Sequence, residues 1–109
     1  MENKIKEISP INFYKLYLSS SNYKIIDVRE INDFEEYHIP GSLNIPFKIL
    51  VKKFNLFLNQ KYEYYVICKD GKESYTATKE LAKQGFNVTY VIGGLKSWRG
   101  DFAYKTLYY

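Results

Sequence analysis

A lone cysteine stands where an apolar run meets a glycine-containing turn, in Tyr64-Tyr65-Val66-Ile67-Cys68-Lys69-Asp70-Gly71-Lys72-Glu73-Ser74. The β-branched and aromatic residues before Cys68 predict a strand, and residues 74–83 interleave apolar and polar side chains at helical spacing. Cys68 is thus placed at a strand-to-helix junction. There the backbone N–H groups of the turn and first helical residues lack intrahelical partners and point back at what the turn encloses. A free thiol titrates near ~8.5, and helix N-termini or nearby cations lower this to ~3.5–7.5. A drop of two units corresponds to ~2.7 kcal/mol in favour of the anion, within reach of several N–H donors and a helix dipole. The chemistry on offer is nucleophilic attack by a thiolate; the alternative is a buried cysteine acting as a small hydrophobe.

The elements that must hold this junction can be read in order. Lys4-Ile5-Lys6-Glu7-Ile8 suits a short edge strand, with lysines discouraging further pairing. Ser9 and Pro10 open a helix as N-cap and first residue. Its apolar residues include Ile11, Phe13, Leu16 and Leu18, and Ser19-Ser20-Ser21-Asn22 ends it. Tyr23 to Val28 reads as a largely buried strand with Asp27 near its end, followed by a short helix over residues 29–37 with Ile31, Phe34 and Tyr37 inward. His38-Ile39-Pro40-Gly41 is a turn. Leu43-Asn44-Ile45 is a short strand, and residues 47–58 form a helix with Phe47, Leu50, Val51, Phe54 and Leu58 on one stripe. After the Cys68 strand and its helix, Gly85 marks a C-terminal cap. Residues 88–92 form the last long strand, and Gly93-Gly94 leads into a short helix ending at Trp98.

Alternating strands and helices predict an α/β fold with a mostly parallel central sheet of about five strands and right-handed crossovers. Ligands in such sheets bind outside the carboxyl ends of the strands. Cys68, Asp27 with Arg29, and Gly93 all fall at such ends. The 109 residues suit a single domain over residues 1–109. With 46% hydrophobic and 26% charged residues, disorder is excluded.

The net charge of +4 is mild and the lysines are scattered, so nucleic acid is not an expected partner. A single Cys and a single His exclude an intrachain disulfide and leave no metal site to expect. The N-terminal residues lack a signal-peptide pattern and no segment is long enough to span a membrane, so the expected location is cytoplasmic. The aromatic tail over residues 102–109 is expected to pack back on the domain. With no second domain beside it, the Cys68 turn is expected to be shallow and open.

Four motifs in order resemble those of the rhodanese-like sulfurtransferases. They are Ile26-Asp27-Val28-Arg29, then Phe34-Glu35-Glu36-Tyr37-His38-Ile39-Pro40-Gly41-Ser42-Leu43-Asn44-Ile45-Pro46, then Cys68 with its turn, then Gly93-Gly94-Leu95-Lys96-Ser97-Trp98. The resemblance implies a central parallel sheet flanked by helices on both faces. It also implies a sulfurtransferase cycle in which Cys68 takes sulfane sulfur from thiosulfate or a persulfide donor, carries it as a transient persulfide and yields it to a thiol, cyanide or protein acceptor. No cofactor beyond that persulfide is implied. The N–H groups of Lys69, Asp70, Gly71, Lys72, Glu73 and Ser74 would cradle the sulfur. Ser74 is expected chiefly to cap the following helix. Asp27 and Arg29 are supporting residues: Asp27 is expected to play a structural hydrogen-bonding role, orienting backbone or Arg29 near the site, the alternative being that it only terminates its strand. His38 is expected to stabilise its turn, not to act as a base. The partner is a small-molecule donor or a protein persulfide donor or acceptor, and monomer and homodimer both remain open.

Two departures from the family pattern bear on this. Lys69 and Lys72 are offset by Asp70 and Glu73, so a dianionic donor gains little from the turn, and thiosulfate is expected to be a poor donor. Tyr37 stands where glycine is common in the family. Two rival functions also follow. Phosphatase chemistry needs an arginine at the sixth position after the cysteine, where this chain has Ser74, and arsenate reduction would need an external thiol to resolve its adduct. A non-catalytic rhodanese-like module that binds a protein partner is the other alternative.

Overall fold

The computed structural model describes residues 4–105. The chain runs β1 (Glu7–Ile8), α1 (Pro10–Ser19), β2 (Lys24–Asp27), α2 (Ile31–Glu36), β3 (Tyr37–His38) and β4 (Leu43–Asn44). It continues through α3 (Phe47–Phe57), β5 (Glu63–Ile67), α4 (Lys72–Lys83), β6 (Asn87–Val91), a 3₁₀ turn (Gly94–Ser97) and β7 (Ala103–Tyr104). Five strands form one sheet in the order β1-β6-β5-β2-β4, with every neighbouring pair parallel. A separate antiparallel ladder joins β3 to β7.

Strand alternation divides the core in two. Ile26, Val28, Tyr64 and Val66 face one side and pack with Leu50 of α3 and Leu81 of α4. Ile25, Tyr65 and Ile67 face the other side and pack with Phe13 of α1 and with Leu95. Helices therefore cover both faces, which is why β2 and β5 read as nearly continuous apolar runs with no polar face. Within α1 only Phe13 is fully buried, while Ile11 and Leu18 face solvent.

The strand order also fixes where a site can form. Past the end of β2 the chain goes to β4 on one side, whereas past the end of β5 it goes through α4 to β6 on the other. Adjacent parallel strands whose connections diverge leave a crevice at their carboxyl ends. Asp27 and Ile67 are register partners at that edge. Arg29 and Cys68 lie just beyond them.

Two local expectations need correction. The helix after β2 stops at Glu36, with Ile31 56% exposed, and Tyr37 belongs to β3. The reason is distant in sequence: Tyr37 and His38 pair with Tyr104 and Ala103. The helix after Cys68 begins at Lys72, because Gly71 at φ +99° takes the N-cap position, and this places Ser74 inside the helix instead of at its cap. The expected packing of the tail holds for Phe102, which packs on the α1-side core, and for β7. Residues 106–109 lie outside the described residues. Among the described residues, no helix is long and apolar enough to cross a membrane.

Candidate functional site

Cys68 follows β5 directly, and its sulfur is surrounded by the start of α4. The Gly71 amide donates to Sγ at 3.1 Å and the Ser74 amide at 3.4 Å. The thiol donates to Ser74 Oγ at 3.3 Å, and that hydroxyl in turn donates to the Gly71 carbonyl at 3.2 Å. Of the six amides named from the sequence, two reach the sulfur. The Lys72 amide goes instead to Asp70 Oδ1 at 3.1 Å. That bond, with Lys72 and Lys96 nearby, holds the Asp70 carboxyl below the usual carboxylate range. Ser74 thus touches the sulfur with both amide and hydroxyl, a closer role than capping.

One other segment, the 3₁₀ turn, braces this turn from behind. The Leu95 amide donates to the Cys68 carbonyl at 2.8 Å and the Lys96 amide to the Lys69 carbonyl at 3.0 Å. Gly94 makes that approach possible: at φ +61°, a Cβ on it would lie 2.4 Å from the Cys68 carbonyl oxygen. Gly71 is constrained too, since its Cβ would meet the Tyr90 hydroxyl at 2.7 Å. The Gly93-Gly94 motif therefore holds the backbone that carries the cysteine.

Cys68 is 2% exposed, and it lines the cleft of about 460 Å³ at the crevice between β2 and β5. The site is deeper than an open turn, because α2 and Tyr37 build a wall that the sequence reading did not assign to it. Glu30, Asp33 and Glu36 come from that wall, and Lys69, Asp70, Lys72 and Glu73 from the other. None of the three α2 acids was named from the sequence, although their spacing of three is a readable sign of one helical face.

Arg29 also reaches the cleft, but Asp27 holds it. Arg29 Nε donates to both Asp27 oxygens, at 3.0 and 3.1 Å, and Nη2 donates to Oδ2 at 2.9 Å. The Arg29 amide closes on Oδ1 at 3.0 Å, and Nη2 also donates to the Tyr37 carbonyl at 2.6 Å. The guanidinium carbon lies 4.9 Å from the Tyr37 ring centre. This pair ties the end of β2 to the start of β3. Asn44 Nδ2 adds to the brace by donating to the Asp27 and Arg29 carbonyls.

His38 stands apart from the sulfur. Its ring stacks on Phe34 at 3.9 Å and its Nδ1 lies 2.8 Å from the Phe34 carbonyl, so it fixes the turn. Trp98 packs on Phe13 and donates from Nε1 to the Asp101 carbonyl at 2.9 Å. Among the described residues, no group of three or more His, Cys, Asp and Glu side chains is placed to hold a metal ion.

A buried cysteine sulfur bound by helix-start amides, at the switch point of a five-stranded parallel sheet, defines a rhodanese-type architecture. The model of the rhodanese-like domain matches residues 12–101, and the chain belongs to that family. YrkF of Bacillus subtilis, named as a sulfur carrier protein, is 39% identical over 99 residues, which cover 90% of this chain and 53% of that protein. The chain thus spans about half the length of that relative. YtwF of the same organism, named as a sulfurtransferase, is 33% identical over 98 residues and is covered to 94% of its length. The crystal structure of a rhodanese-related protein from Thermoplasma volcanium superposes with a TM-score of 0.76 at 32% identity, covering 85% of this chain and 89% of that one.

Proposed function

We propose that this member of the rhodanese-like sulfurtransferase and sulfur carrier family carries sulfane sulfur on Cys68. The observation that supports this most directly is the sulfur itself, bound by two amides and a hydroxyl at the floor of a cleft. The two amides are oriented to stabilise the negative charge that Sγ carries as attacking and as leaving thiolate. Ser74 Oγ is positioned to turn from the Gly71 carbonyl toward an ionised sulfur.

In the loading step the Cys68 thiolate attacks the outer sulfur of a donor persulfide, R–S–S⁻. The S–S bond of the donor breaks, R–S⁻ departs with its electron pair, and the new S–S bond leaves the outer sulfur on Cys68 with one negative charge. Unloading is the mirror step: an acceptor thiolate or cyanide attacks that outer sulfur and the Cys68 thiolate is the leaving group. No net electrons are gained or lost, so the cycle needs no redox cofactor.

Phosphoryl chemistry is disfavoured by the same geometry. Ser74 occupies the position of the required arginine, and the Arg29 fork is closed on Asp27. The test is intact mass of the reduced protein after incubation with cysteine persulfide, and separately with thiosulfate, with Cys68→Ser as control. A gain of one sulfur that is absent in the control and removed by cyanide is expected. No gain from either donor would overturn the carrier function and leave a rhodanese-like module that binds a protein partner.

A further inference from the structure

The charge around the sulfur is opposite to that of the chain. The chain carries +4, yet the cleft is lined by five carboxylates, Glu30, Asp33, Glu36, Asp70 and Glu73, against Arg29, Lys69 and Lys72. Arg29 is neutralised by Asp27 at 2.9 Å, which leaves Lys69 and Lys72, with Lys96 beside Asp70 at the edge of the adjoining groove, against five acids. Among the described residues none of the five is in an ion pair. All five side chains are exposed at the rim, whereas the sulfur lies at the floor. An arriving ligand therefore meets the acids before it meets Cys68.

A second feature bears on the size of that ligand. Tyr37 and Lys69 belong both to the cleft and to a shallow apolar groove beside it, floored by Leu95, Phe102 and Tyr104. A thiosulfate ion has nothing to place in that groove. A polypeptide segment does.

We propose that the acidic rim selects the sulfur-exchanging partner, a protein whose reactive sulfur is flanked by lysine or arginine and whose chain continues over the Leu95–Phe102–Tyr104 groove, and that the same rim repels thiosulfate. This rests on Cys68 being a sulfur carrier. Charges of one sign around a low-dielectric cleft focus the field, raise the local concentration of the opposite charge and lower that of like charge. Complementarity of this kind acts mainly on association rate and on rejection of wrong partners. The offset between Lys69 or Lys72 and Asp70 or Glu73 leaves the turn neutral, so α2 sets the sign.

The experiment compares loading rates, read as gain of one sulfur by intact mass, for three donors: a short cysteine-peptide persulfide flanked by lysines, the same peptide flanked by glutamates, and thiosulfate. Each is given to the wild type and to E30Q/D33N/E36Q, at low salt and at about 1 M salt, where the Debye length falls to ~3 Å. The lysine peptide should load the wild type at least about tenfold faster than the glutamate peptide at low salt. That gap should close at high salt and narrow in the triple variant, while thiosulfate loading rises. Glu73→Gln, on the opposite wall, should narrow it in the same direction, and Glu80→Gln, away from the cleft, should leave it unchanged. Equal rates for the two peptides with the wild type, or a gap untouched by either cleft variant, would overturn the selection while leaving the carrier intact. Failure of every donor to load any of these proteins would overturn the carrier reading, and this proposal with it.

Discussion

At the scale of single residues, the pair that holds the crevice together is Asp27 and Arg29, 1% and 6% exposed. Removing one member of a buried pair leaves the other uncompensated in a low-dielectric setting. Asp27→Ala should therefore lower unfolding free energy by about 3–5 kcal/mol, measured by urea denaturation. Gly94 is the second such residue. Gly94→Ala places a methyl against the Cys68 carbonyl and asks alanine for φ +61°, and the listener to that strain is the Cys68 turn itself. It should cost about 2–3 kcal/mol in thermal or urea melts and slow sulfur loading of the folded fraction. The family resemblance suggested that Asp27 orients backbone or Arg29 near the site, but nothing in the sequence showed that the arginine fork closes on it. The Ser74 amide was among those expected at the sulfur, whereas its hydroxyl sits there instead of capping because Gly71 adopts a left-handed conformation that starts the helix two residues early.

At the scale of elements, β5 leads directly into Cys68 and carries a buried tyrosine that responds to alkali. Tyr65 is pushed up to about 12 by burial first and by the Glu63 carboxylate second. Its neighbour Tyr23, 5.2 Å away ring to ring, is raised by burial as well. The folded protein thus holds the Tyr65 proton at a pH where the unfolded chain, near 10, has released it. The stabilisation is complete below pH 10 and is lost as pH rises toward 12, by on the order of 2 kcal/mol. Urea midpoints taken from pH 9 to 11.5 should fall, and the slope should flatten in Tyr65→Phe. Strand β5 was plain in the sequence because both its faces are buried and its residues after Glu63 are aromatic or β-branched. The segment after β2 was misread at its end because Tyr37 and His38 take partners more than sixty residues away, and local periodicity carries no trace of such pairing.

At the scale of the whole molecule, strand order does what no single element can. Placing β5 beside β2, with β4 and β6 on opposite flanks, brings Cys68 and Arg29 to one crevice from positions far apart in sequence. The alternation of elements made the parallel sheet legible, and the rule for its carboxyl ends made the crevice legible. The acidic wall was not, because Glu30, Asp33 and Glu36 face the sulfur only once the chain has folded back between β2 and β4.

The ladder between β3 and β7 carries a consequence for how wide that crevice stands. One wall belongs to α4 and the five-stranded sheet, whose opening requires loss of the core. The other is secured by two register pairs, by a bond from the Lys105 amide to the Glu36 carbonyl at 3.3 Å and by the Arg29 Nη2 bond to the Tyr37 carbonyl. Elements with few buried contacts open at free energies well below global unfolding. Amide hydrogen exchange is therefore expected to be faster in β3 and β7 than in β2 and β5.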